Sequence, residues 1–166
     1  MPVQQNDASI RILIADDDAH ILECYREAFC ASESTDYLKA LDALDAELFD
    51  VEEDIEEMPK FEVVACSQGN DAVSLAKKAA HEGHPFDVVI LDVRMPPGID
   101  GVEAGCAIRR LDPDIEIVFV TGFSDIPRDE LERRVPPPLK LHYFNKPISF
   151  MQLAEDVAGI YRCDEG

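Results

Sequence analysis

The sequence predicts an α/β protein built on one parallel sheet. Five apolar, β-branched-rich runs recur along its 166 residues, each followed by a stretch with helical spacing. Such runs read as strands buried on both faces, and short βα connections place helices on both sides of the sheet. Three segments also end in charge: Ile12-Leu13-Ile14-Ala15-Asp16-Asp17-Asp18, Val88-Val89-Ile90-Leu91-Asp92 and Tyr143-Phe144-Asn145-Lys146-Pro147. Ligands of open α/β sheets bind at the carboxyl ends of strands. If these three strands lie side by side, Asp16, Asp17, Asp92 and Lys146 meet in one crevice suited to a divalent cation and a phosphoryl group.

In chain order, the strands are expected at 10–15, 61–66, 86–91, 115–120 and 140–145. Helices are expected at 19–31, 70–81, 102–110, near 126–134 and at 149–162. Asp18 opens the first helix as a cap for its free amides. His20 lies on the surface of that helix. In the helix at 70–81, Ala72, Leu75, Ala76 and Ala79 recur at three and four, one buried face. Gly83 and Pro85 end that helix. Pro136-Pro137-Pro138 must be extended, so the fourth helix stops before it.

Residues 32–60 exceed what a helix-to-strand connection needs. Between residues 33 and 60 there are eleven acids against Lys39 and Lys60. Tyr37, Leu41, Leu44, Leu48, Val51, Ile55 and Met58 recur at four and three, the seam of a helix. With Leu41 and Leu44 at the core positions, the flanking positions are acidic and would repel a parallel copy. The insert is therefore expected to be helical and to dock on its own domain or on a basic protein partner. It leaves the end of the sheet opposite to the charged strand ends.

The length fits a single domain spanning 1–166, with a core at 10–31 and 60–163. A net charge of −20 opposes binding to nucleic acid or to an anionic membrane surface. No apolar run approaches a membrane span and the first residues carry no signal-peptide pattern, so the cytoplasm is the expected location. The five cysteines are odd in number and lack close pairing, which suits buried, reduced thiols. His81, His84 and His142 have no metal-ligand spacing and are expected at the surface.

An acidic pair after strand 1, Asp92 ending strand 3 before a Met-Pro…Gly loop, Thr121 ending strand 4, and Lys146-Pro147 after strand 5 occur in this order. The chain thereby resembles the response-regulator receiver domains of two-component signalling, the CheY-like family. The resemblance implies a flavodoxin-like sheet of order 2-1-3-4-5. It implies that Asp92 is the phosphoacceptor and that Asp16, Asp17, Asp92 and the backbone carbonyl of Arg94 hold Mg²⁺. Thr121, Gly122 and Lys146 would meet the phosphoryl group, Tyr143 would be the switch aromatic, and the Lys146–Pro147 bond would be cis. The implied partner is a sensor histidine kinase or a histidine phosphotransfer protein. The implied function is that of a phosphoacceptor switch displaying a changed surface around helix 4, strand 5 and helix 5, not an enzyme acting on other substrates.

Two features depart from the family pattern. Met95-Pro96-Pro97-Gly98-Ile99-Asp100-Gly101 is one residue longer than the usual loop, and Arg94 and Phe123 flank the site without an acid or amide. Two other readings compete. One is a receiver-like interaction module that no longer uses phosphorylation. The other is an HAD-like phosphatase using Asp16-Asp17-Asp18, which lacks the further acidic pair that chemistry needs and leaves Asp92 unexplained.

Overall fold

The computed structural model describes residues 9–30, 59–122 and 126–163. Residues 32–58 of the acidic insert, with its expected helical seam and partner, lie outside the described residues, as does Phe123. The strands are β1 (Ile10–Ala15), β2 (Phe61–Cys66), β3 (Val88–Asp92), β4 (Glu116–Thr121) and β5 (Leu141–Asn145). The helices are α1 (19–30), α2 (Gly69–His81), α3 (Gly101–Leu111), α4 (Arg128–Arg134) and α5 (Phe150–Cys163).

All pairings are parallel and the order is β2-β1-β3-β4-β5. The expected topology is therefore the observed one. β1 and β2 have the expected bounds, while β3 starts two residues later and ends on Asp92 itself. Phe86 is buried but sits ahead of the ladder, since Asp87 instead accepts the backbone N–H of Arg11 at 2.9 Å.

The strands alternate between two cores. Leu13, Val89, Leu91, Ile117 and Phe119 face α2, α3 and α4, where Ala72, Ala76, Val102, Ile108 and Leu131 meet them. Ile12, Ile14, Ile90, Val118 and Val120 face α1 and α5, against Leu22, Tyr25, Phe29, Leu153 and Val157. Both faces of β1, β3 and β4 are thus dry over their middles, which is why residues 12–15, 88–91 and 117–120 read as unbroken apolar runs.

α3 lies close over the sheet because Gly105 has no side chain. A Cβ there would stand 2.7 Å from Phe119 Cζ and 3.5 Å from Leu91 Cδ1. Gly105→Ala is expected to cost about 1–2 kcal/mol, because the Phe119 ring must turn to admit the methyl. Urea unfolding would measure it, and an unchanged midpoint would show that the ring has room.

At the far end of the sheet from the charged strand ends, buried Glu116 on β4 pairs with Lys140 Nζ at 2.8 Å and His142 Nε2 at 2.7 Å. Burial alone would raise this carboxyl, but the hydrogen bonds from His142 and Lys140 hold it below its ordinary value. His142 is therefore half-buried and partnered, not a surface residue, because β4–β5 register sets it beside Val118 and within reach of Glu116. His81 and His84 are exposed. Cys24, Cys66 and Cys106 are free and partly buried, whereas Cys30 is exposed near the end of the described part of α1, so burial of all the thiols does not hold.

Candidate functional site

The carboxyl ends of β1, β3, β4 and β5 bring together the groups expected from sequence. β1 ends at Ala15, and the backbone N–H of Asp16 continues its ladder to Cys66 O at 3.2 Å. Asp16 is 1% exposed and Asp92 5%, while Asp17 reaches solvent. One carboxylate oxygen from each of Asp16, Asp17 and Asp92 lies within 4.8 Å of the others, so the three can share one cation. Lys146 Nζ donates to Asp92 Oδ2 at 3.1 Å, and the Arg94 backbone N–H donates to Asp92 Oδ1 at 3.3 Å.

Asp16 is only half satisfied. Its Oδ1 accepts the Asp18 backbone N–H at 2.9 Å, whereas Oδ2 is buried with no hydrogen-bond partner. Burial pushes the Asp16 carboxyl up to about 6, helped by nearby Asp92 and Asp17 and opposed by the Asp18 amide and Lys146. Burial also raises Asp92, against the hydrogen bond and charge of Lys146. A buried carboxylate oxygen without a donor, next to two more carboxylates, is costly in the bare protein. A hard dication with oxygen ligands removes that cost, so these residues fit Mg²⁺.

Asp18 stands apart. Its Oδ1 accepts the backbone N–H of His20 at 2.9 Å and of Ile21 at 3.4 Å, capping α1 as expected. His20 is exposed on that helix.

Thr121 is buried at the end of β4 and opposite Asn145 in register. Its hydroxyl donates to Asn145 Oδ1 at 3.2 Å, and the Lys146 backbone N–H returns to Thr121 O at 2.8 Å. Gly122 follows without a side chain. Tyr143 is half-buried on the α4 side of β5, its hydroxyl enclosed without a partner and its ring 4.8 Å beneath the Arg128 guanidinium. Lys146–Pro147 is cis, as the resemblance implies.

Sequence reasoning passed over Asn145 and Gln68. Asn145 was the last residue of the expected fifth strand with no role assigned, and only its register with Thr121 gives it a partner. Gln68 sits in the β2–α2 turn, where nothing in its local sequence points across to the β3–α3 loop. The start of α3, by contrast, carried a readable signal in Asp100-Gly101-Val102-Glu103. Asp100 accepts the Glu103 amide at 2.8 Å and Glu103 accepts the Asp100 amide at 3.2 Å, a capping box.

The family model for the response regulator receiver domain matches residues 48–157. This chain belongs to that family. The matched segment carries Asp92, Thr121 and Lys146; Asp16 and Asp17 precede it in sequence, and the β2-β1-β3 order returns them to the site.

Relatives agree. The chain is 31% identical over 97 residues to the sensor kinase CckA of Brucella abortus, covering 58% of this chain and 10% of the kinase. It is 40% identical over 53 residues to the response regulator receiver protein CpdR of the same organism, covering 27% of this chain and 43% of that protein. The chain thus spans less than half the length of either curated relative. Among solved structures, the receiver domain of AraT, a response regulator from Geobacillus stearothermophilus, superposes with a TM-score of 0.62. Identity is 26%, with 95% of this chain and 97% of that one covered. A CheY-like receiver from Methanospirillum hungatei gives a TM-score of 0.63 over 96% of this chain and 100% of that one; at 18% identity it speaks for the fold alone.

Proposed function

We propose that this receiver accepts a phosphoryl group on Asp92 from the phosphohistidine of a sensor kinase or a histidine phosphotransfer protein. The observation that carries this is the junction of a buried Asp92 carboxylate, a Lys146 ammonium at 3.1 Å and two further carboxylates, one with an orphaned oxygen. The stretch shared with a sensor kinase supports a histidine-kinase source of the phosphoryl group.

Asp92 is the nucleophile. One of its oxygens bonds to phosphorus as the P–N bond of phosphohistidine breaks, and the imidazole leaves with the bonding pair. Lys146 and the Arg94 amide hold the two Asp92 oxygens before attack, which orients the carboxylate and lowers the cost of bringing in a phosphoryl dianion. Asp16, Asp17, Asp92 and the Arg94 carbonyl would hold Mg²⁺, which when bound neutralises charge on the phosphoryl oxygens. After transfer, Lys146 pairs with a phosphoryl oxygen.

The Thr121 hydroxyl, now donated to Asn145, turns to the new phosphoryl group, for which Gly122 leaves room. Tyr143 then rotates inward from its place beneath Arg128 and alters the α4–β5–α5 surface. In this reading residues 1–166 form one receiver unit acting in the cytoplasm; no helix among the described residues is long and apolar enough to cross a membrane.

Incubation with acetyl phosphate and Mg²⁺ tests the proposal. The intact mass is expected to rise by one phosphoryl group, and neither Asp92→Asn nor the native protein in EDTA should show the rise. Labelling that persists in Asp92→Asn would overturn the assignment. Turnover of a small phosphoester would favour a phosphatase, and no response under any condition an interaction module.

A further inference from the structure

The β3–α3 loop is one residue longer than its family pattern, and it is pinned to a neighbouring turn by a side chain unrelated to the acidic cluster. Gln68 occupies the cap position ahead of α2 with extended backbone, yet its side chain makes no cap hydrogen bond. It points across to the loop instead. Its Nε2 donates to Pro96 O at 3.3 Å, and its Oε1 accepts the Gly98 backbone N–H at 3.3 Å. One primary amide thus satisfies a carbonyl and an amide two residues apart, as a neighbouring strand would.

The next residue reinforces the junction. A Cβ on Gly69 would stand 2.8 Å from Ile99 O and 2.9 Å from Ile99 Cγ1, so only glycine lets the loop backbone come this close. Ile99 packs against the core on the α2–α3 side. The loop is also fixed at its ends. The Arg94 N–H is on Asp92 Oδ1, and the Gly101 N–H is on Val93 O at 2.8 Å. The Gln68 amide therefore holds the crest of a segment whose first residue is Arg94.

We propose that Gln68 is a positioning residue for the metal site: by clamping Pro96 and Gly98 it sets the direction of the Arg94 carbonyl, the backbone ligand of Mg²⁺. This rests on the receiver reading of the acidic cluster. The extra loop residue lengthens the path between the two fixed ends, and the added slack would let that carbonyl wander. The amide takes up the slack from outside the ligand set, as outer partners do in other metal sites.

The test compares Mg²⁺ binding by calorimetry in the native chain, Gln68→Met and Gly98→Ala, with the metal-free melting temperature of each. Gln68→Met keeps the length and removes both bonds. Gly98→Ala leaves Gln68 in place but sets a Cβ 3.1 Å from its Oε1 and 3.3 Å from Asn70 Nδ2, so the amide must shift by a few tenths of an ångström and its hold on the loop loosens. Affinity for Mg²⁺ is expected to fall about tenfold in Gln68→Met and by a smaller factor in Gly98→Ala. The metal-free melting temperatures should stay within about 2 °C of native, since both bonds are exposed. Native affinity in either variant, or a loss that merely tracks a fall in metal-free stability in both, overturns the positioning role. Absence of Mg²⁺ binding by the native chain overturns the metal reading itself, a separate result.

Discussion

Gly101→Ala is expected to lower stability by about 4 kcal/mol, because the added methyl would meet main-chain atoms at closer range than at Gly69, Gly98 or Gly105. Gly101 starts α3 directly behind the strand that carries Asp92. A Cβ there would lie 2.0 Å from the Asp92 carbonyl oxygen, 2.8 Å from its carbonyl carbon and 3.0 Å from Val93 Cα. All three are main-chain atoms, so no rotamer change relieves the contact. The helix would have to lift from β3, loosening the Gly101 N–H bond to Val93 O and the Asp100–Glu103 capping box with it. For a chain of this size such a loss lowers the melting temperature by roughly 8–16 °C. Urea unfolding checks the figure; a change below about 1 kcal/mol would mean that α3 moves without cost. Because the displaced atoms belong to Asp92, phosphorylation should fall in the fraction that stays folded.

Asp16→Asn is expected to act in the opposite direction on stability. In the metal-free protein it should add about 1–3 kcal/mol at pH 7 while weakening Mg²⁺ binding about tenfold or more. Asparagine keeps an oxygen for the Asp18 N–H, removes the buried charge and offers an amide N–H₂ beside Asp17 and Asp92. The pH dependence separates this from ordinary surface effects. The Asp16 carboxyl has its ordinary value near 3.8 in the unfolded chain, and burial pushes it up to about 6 in the folded one. Between those values the folded state binds the proton more tightly. The Asp16 contribution to stability is therefore greatest below about pH 4 and declines as pH rises through 6. In EDTA, the difference in stability between Asp16→Asn and the native protein should accordingly grow from pH 4 to pH 7. Saturating Mg²⁺ should reverse the order of the two proteins, because only the native site gains the full binding energy. A difference that stays constant across that pH range would show that the Asp16 charge carries no cost.

Both predictions concern the surroundings of Asp92, where stability and function pull against each other. The clustered carboxylates destabilise the bare fold, and the close approach of α3 at Gly101 keeps Asp92 fixed despite that.

Much of this architecture was legible from local pattern. Strands buried on both faces are largely apolar, so β1 was bounded to the residue and β3 was found with its start two residues late and its end one residue further on. Charged strand ends interrupt such runs sharply, so Asp16, Asp17, Asp92 and Lys146 stood out before any contact was known. Asp18 was readable as a cap because capping is a matter of four consecutive residues. The errors and omissions have a common origin. His142 was expected at the surface, yet strand register sets it against buried Glu116. Asn145 was passed over because its partner, Thr121, is on another strand.

By itself, then, the sequence determined the elements, their order and the ionisable groups at the strand ends, because each follows from burial and periodicity within a short window. Only the tertiary structure decided which oxygen of Asp16 is left without a donor, that Gln68 reaches the loop after Asp92, and that Gly101 admits no side chain. Those facts depend on ångström-scale distances between segments far apart in sequence, which close packing sets and no local pattern encodes.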